Sequence, residues 1–168
     1  MRHTVSVLVE NKFGVLARIS TLFAARGFNI DSLSVSETEE PAISRMTIVV
    51  KGGAYILEQV TKQLNKLVDV IKVTDFKDTE YVERSLALIK INMTKSTQNE
   101  LIKLIGIFRA RIEDISQNSV TVEMTGNENK INAFVKTVMP YGIKETCRTS
   151  VVALGRGHTI KIKEKRNG

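Results

Sequence analysis

A chain of 168 residues, 42% apolar and 26% charged, has the balance of a folded globular protein and room for one ordinary domain or two small ones, which excludes a disordered chain. No apolar stretch approaches the about 20 residues a membrane helix needs, and the first ten residues alternate like a strand rather than a signal or transit peptide, so a cytoplasmic chain is expected. The formal net charge of +7 admits nucleic acid as a partner, whereas one cysteine and two histidines exclude an intrachain disulfide and a zinc cluster.

Residues 4–10 alternate with Val5, Val7 and Val9 on one face and predict a strand, which Asn11 and Gly14 interrupt. Val15, Leu16, Ile19, Leu22 and Phe23 then share one helical face, and Gly27 stands where a left-handed cap ends a helix near Arg26. Residues 30–36 and 44–50 read as a hairpin whose turn contains Glu39, Glu40 and Pro41. Leu57, Val60, Leu64 and Leu67 mark a second helix, and residues 70–74 a fourth strand.

The same order recurs in the second half. Residues 86–92 predict a strand, and Leu101, Leu104, Ile105 and Phe108 a helix. Strands follow over 111–116 and 119–125, then a helix carrying Ile131, Phe134, Val135 and Val138, and a last strand over 143–148 that packs Cys147 as a small residue. Repetition at roughly 75 to 85 residues predicts an α+β chain of two ferredoxin-like βαββαβ units in tandem, each an antiparallel sheet with both helices on one face. The expected boundaries are a first domain over 1–76, a polar linker over 77–83, a second domain over 84–158 and a basic tail over 159–168. Much of the positive charge lies in that tail, on Lys161, Lys163, Lys165 and Arg166, which reads as a solvated terminus and not a nucleic-acid-binding arm. Units this small leave much surface uncovered, so association with a second copy is expected.

No residue set has the pattern of an active site. There is no GxSxG or HExxH, Gly155-Arg156-Gly157 lacks the spacing of a phosphate loop, and Glu39 and Glu40 read as a charged turn. Neither residues 4–10 nor 44–50 carry the aromatics of an RNA-binding sheet. What remains is the first strand-to-helix junction, where a helix N-terminus can hold a carboxylate through backbone N–H groups without a cationic side chain. Gly14 would let a ligand approach the backbone, and Asn11, with Asn29 of an abutting copy, would supply polar groups for an ammonium. On spacing alone, Asn11, Gly14 and Asn29 read equally as turn residues, and that plainer reading takes precedence.

The residues themselves carry a resemblance. Ser6-Val7-Leu8-Val9-Glu10-Asn11, Gly14-Val15-Leu16-Ala17-Arg18-Ile19, Arg26-Gly27-Phe28-Asn29-Ile30 and Ser34-Val35 are similar to the ACT domain of acetolactate synthase small subunits. Ser44-Arg45-Met46-Thr47-Ile48 and residues 63–73 are distinctive of these subunits among ACT proteins. Glu83-Arg84, residues 86–90, Phe108-Arg109 and residues 153–157 resemble the family's second half.

The resemblance implies a non-catalytic regulatory subunit that pairs through its ACT domains and binds the large catalytic subunit. It would raise the activity of that partner and confer feedback inhibition by valine or another branched-chain amino acid. It further implies no cofactor or metal on this chain, with thiamine diphosphate, magnesium and FAD on the catalytic partner, and no nucleic acid or membrane partner. The effector site it implies lies between two chains, with Asn11, Gly14, Val15 and Leu16 from one and Asn29 and Ile30 from the other. Phe13, Ser85 and Ser150 depart from the family's pattern, and Phe13 adjoins the expected pocket. The alternative is a free-standing ACT-type amino-acid sensor with a different target.

Overall fold

The computed structural model describes residues 1–157, so His158 and the expected tail over 159–168 lie outside the described residues. The described chain forms two compact units, Glu83–Ser150 being one, while residues from Val151 on group with Met1–Val82.

In the first unit β1 (Arg2–Glu10), α1 (Val15–Ala25), β2 (Ile30–Glu37), β3 (Ile43–Lys51), α2 (Ala54–Leu64) and β4 (Val70–Asp75) follow in order. The strands form an antiparallel sheet in the order β2-β3-β1-β4, as a βαββαβ unit requires. The alternation that predicted β1 sets its register, since Val5 lies opposite Ile48 and Val7 opposite Met46. These side chains meet Val15, Ile19 and Phe23 of α1 and Leu57, Val60 and Leu64 of α2 in one core. Leu67 falls past the end of α2, in the turn before β4, yet still packs against that core.

The end of α1 follows from Gly27. At φ +67° its N–H donates to Ala24 O at 3.1 Å, and the Phe28 N–H reaches Phe23 O at 2.9 Å, the paired bonds of a Schellman cap. Phe28 closes the cap edge-on against the Phe23 ring, with centroids 6.1 Å apart.

The second unit repeats the plan with β5 (Tyr81–Asn92), α3 (Gln98–Ile107), β6 (Arg111–Ser116), β7 (Ser119–Gly126), α4 (Glu128–Val138) and β8 (Ile143–Arg148). Its strand order β6-β7-β5-β8 is equivalent to that of the first sheet, over a core of Ile89, Ile91, Leu101, Val122, Ile131 and Phe134. Cys147 lies on β8 as expected but is exposed and not packed, because β8 is an edge strand and the cysteine sits opposite the partly exposed Leu88.

Two features depart from the expected boundaries. β5 begins at Tyr81, so only part of the 77–83 linker is irregular. A ninth strand, β9 (Val152–Gly155), pairs with β5 and touches β1, and the Val151 N–H donates to Ser32 Oγ at 3.3 Å. The residues expected to close the second domain therefore lie with the first unit. The physical reason is visible in β1, whose second face also carries buried side chains, Thr4, Ser6 and Leu8, with Thr47 and Val49 of β3. That face needs a cover, and Val151 and Ala153, both buried, contribute one.

Candidate functional site

β1 ends at Glu10 and α1 begins at Val15, and the intervening turn is held on two sides. Toward the hairpin, the Asn11 N–H donates to Ala42 O at 2.7 Å, while its side-chain amide nitrogen donates to Pro41 O at 2.9 Å and Glu37 Oε1 at 3.0 Å. Toward the α2–β4 turn, the Glu10 N–H donates to Asp69 O at 2.9 Å, and Arg18 Nη1 lies 3.3 Å from Asp69 Oδ2. Asn11 thus spends its side-chain donors inside the protein, while its amide oxygen accepts none of these bonds.

Gly14 is the N-cap of α1 and takes φ +84°, a left-handed conformation in which an L side chain is strained. No side chain caps the helix, and its first turn contains no acidic residue. The Val15 N–H makes only a long bond to Lys12 O, 3.4 Å, and the first regular bond runs from the Arg18 N–H to Gly14 O at 3.0 Å. The N–H groups of Leu16 and Ala17 have no acceptor among the described residues. Such an end favours an anion.

The expected residues divide into two groups. Asn11, Gly14, Val15 and Leu16 come together at this junction, where Val15 offers only its backbone because its side chain is in the core, 3% exposed. Leu16 is partly exposed and Phe13 fully so. Asn29 and Ile30 lie at the opposite end of the sheet, since Ile30 is level with Val50 and His3, whereas Glu37 at the far end of β2 is level with Ser44 and Val9. The seven residue steps of β2 span roughly 23 Å, so one chain cannot place both groups on one small ligand.

Ionised side chains also surround the junction, contrary to the expectation of a purely dipolar pocket. Lys12 pairs with Glu10 at 2.8 Å, and the hydrogen bond and charge of that carboxylate hold the ammonium above its ordinary value. Glu37 adjoins Asn11, and Arg18 Nη2 stands 3.9 Å from where a Cβ on Gly14 would be. Arg18 and Glu37 escaped the site reading because neither belongs to the turn; the one usable signal was the four-residue step from Gly14 to Arg18, which puts both on one helical face.

Two clefts of about 470 and 490 Å³ lie elsewhere in the first unit, around Ala54 and Lys77 at the start of α2. Among the described residues no group of three or more His, Cys, Asp or Glu side chains could hold a metal ion, and no helix is long and apolar enough to cross a membrane.

Paired βαββαβ units, the first with a glycine-opened strand-to-helix turn, place the chain among proteins built of tandem ferredoxin-like modules. The AHAS small subunit-like ACT domain model matches residues 5–72, and the model for the small subunit of acetolactate synthase matches residues 84–157. The chain belongs to the family of acetolactate synthase small subunits, the regulatory and non-catalytic chains of that enzyme. It is 51% identical to a probable acetolactate synthase small subunit of Archaeoglobus fulgidus, over 94% of this chain and 99% of that one. It is 48% identical to the acetolactate synthase small subunit of Aquifex aeolicus, over 97% of this chain and 85% of that one. The crystal structure of the acetolactate synthase small subunit from Thermotoga maritima is 41% identical and superposes with a TM-score of 0.83, over 95% of this chain and 99% of that one.

Proposed function

We propose that this chain binds the catalytic subunit of acetolactate synthase in the cytoplasm, raises its activity and makes it answer to a branched-chain amino acid, valine foremost. Thiamine diphosphate, magnesium and FAD belong, in this reading, to the catalytic partner. The effector sits at the β1–α1 junction, between the first units of two copies. Its carboxylate meets the Leu16 and Ala17 N–H groups, and its ammonium meets the Asn11 amide oxygen and Glu37. Asn29 and Ile30 of the second copy complete the pocket. The observation that carries the reading is the uncapped N-terminus of α1 behind the left-handed Gly14.

A ligand buried where two copies meet stabilises only the pairing that forms its pocket, so its differential affinity biases the assembly. Coupling of about 1 to 3 kcal/mol would shift the equilibrium roughly 5- to 150-fold, enough for useful inhibition. Because effector and catalytic partner act on one equilibrium, the partner must alter effector affinity by the same factor.

Activity of the mixed subunits against valine, leucine and isoleucine, beside the catalytic chain alone, tests the role. Activation together with inhibition by at least one of them is expected. Failure to co-purify with the catalytic chain would favour an amino-acid sensor with another target. Gly14→Asp tests the site. The left-handed backbone tolerates aspartate better than most residues, but its carboxylate would face the effector's own and sit within reach of Arg18. Calorimetry should show valine binding lost, and normal binding by this variant would move the site elsewhere.

A further inference from the structure

Arg18 lies one turn along α1 from Gly14, and its guanidinium faces two ways. Nη1 is 3.3 Å from Asp69 Oδ2, while Nη2 stands 3.9 Å from the Cβ position of Gly14, the N-cap of the helix. Asp69 is buried and its carbonyl is fixed by the Glu10 N–H, whereas the Arg18 side chain is about half exposed. At 3.3 Å the pair is longer than the 2.7–2.9 Å of a strong charge-assisted bond, and a guanidinium has five donors, so Arg18 keeps donors to spare. The neighbouring cation, Lys12, is engaged by Glu10 at 2.8 Å.

We infer that Arg18 is the specificity-determining residue of the effector site: it reads the ligand's carboxylate, with Asp69 aiming its guanidinium beforehand. The inference rests on the effector reading of this junction. A helix N-terminus supplies about half a unit charge, and it also accommodates neutral acceptors. Arginine adds a full charge in a planar fork shaped for carboxylate. A carboxamide of the same shape has no charge to meet that fork. The residue therefore separates an amino acid from its amide, which apolar contacts to the side chain cannot do. Asp69 restricts the arginine to one region, so less of its rotamer freedom is lost when the ligand arrives.

The test is calorimetry on the full chain with L-valine, L-leucine and L-isoleucine and with their amides, for the native protein and for Arg18→Gln, Asp69→Asn and Gly14→Asp, each checked for native circular dichroism. Arg18→Gln should weaken acid binding by about 10- to 100-fold, the range of a charge-assisted hydrogen bond, and leave the amide unchanged, so that the acid-to-amide preference collapses. Asp69→Asn loosens the guanidinium but leaves its charge in place, so it should weaken acid binding by less than Arg18→Gln does and keep the acid-to-amide preference. A native acid-to-amide ratio in Arg18→Gln, with binding lost in Gly14→Asp, would overturn the role of Arg18 and leave the site standing. Equal losses in Arg18→Gln and Asp69→Asn would reduce the pair to a structural tie and overturn it as well. Native binding in both Arg18→Gln and Gly14→Asp, or no binding of any branched-chain amino acid by the native chain, would remove the site and the inference together.

Discussion

The two ends of α1 need glycine for the same backbone reason but in different surroundings. Gly14 and Gly27 both have left-handed φ values, yet a Cβ on Gly14 would approach Arg18, whereas one on Gly27 meets nothing within 4 Å. Gly27→Ala therefore isolates the backbone term. It should cost about 1–2 kcal/mol in urea denaturation and leave effector binding unchanged, because the Schellman cap lies at the far end of α1 from the junction. A loss much larger than this would mean that the cap also fixes the entry to β2. Asn11 shows why single residues mislead when read alone. Asparagine before a helix is a common turn residue, and only its hydrogen bonds to Pro41 and Glu37 reveal that its donor is used internally.

Among the elements, α1 and β1 were the most legible, because a 3.6-residue stripe and a period of two each bury one face. Val5, Val7 and Val9 against Ile19 and Phe23 are the pairing those patterns predict. β9 was not legible. Four residues are too few to show a period, and only Ala153 among them is buried, in a strand that pairs with β5 and lies against β1. Its contribution can be measured by removing residues 151–168, which takes away the buried Val151 and Ala153 beside β1. The first unit should lose about 2–4 kcal/mol, on the scale of one or two buried aliphatic side chains, seen as faster hydrogen exchange in β1 and β3. Unchanged exchange there would mean that β9 adds nothing to the sheet's stability.

For the whole molecule, the clearest electrostatic signature is a stability plateau bounded at both ends of the pH scale. Glu58 and Glu145 are held below the ordinary carboxylate range, first by hydrogen bonds from Lys62 and Lys90 and then by their charges, and stabilisation from a depressed pKa is present above the unfolded value and lost as pH falls through the folded one. Lys12, Lys62 and Lys90 are held above theirs by the same kind of pairing, and burial raises Tyr141, so stabilisation from these groups is present below their unfolded values and lost as pH rises through the folded ones. Thermal unfolding should therefore be flat near neutrality and fall below about pH 4.5 and above about pH 10. The acid limb should shrink in Lys62→Met and Lys90→Met, by little, because both pairs are exposed and screened. By itself the sequence determined the two-unit plan, the core faces, the Gly27 cap and the place of the candidate junction, because each rests on local periodicity or on a backbone conformation that few residues adopt. Tertiary structure alone decided that Val151–Gly157 belongs with the first unit, that Arg18 and Glu37 border the junction, and that Asn29 lies at the other end of the sheet. Those facts depend on which strand ends share an edge, and chain closure brings together residues that no local pattern connects.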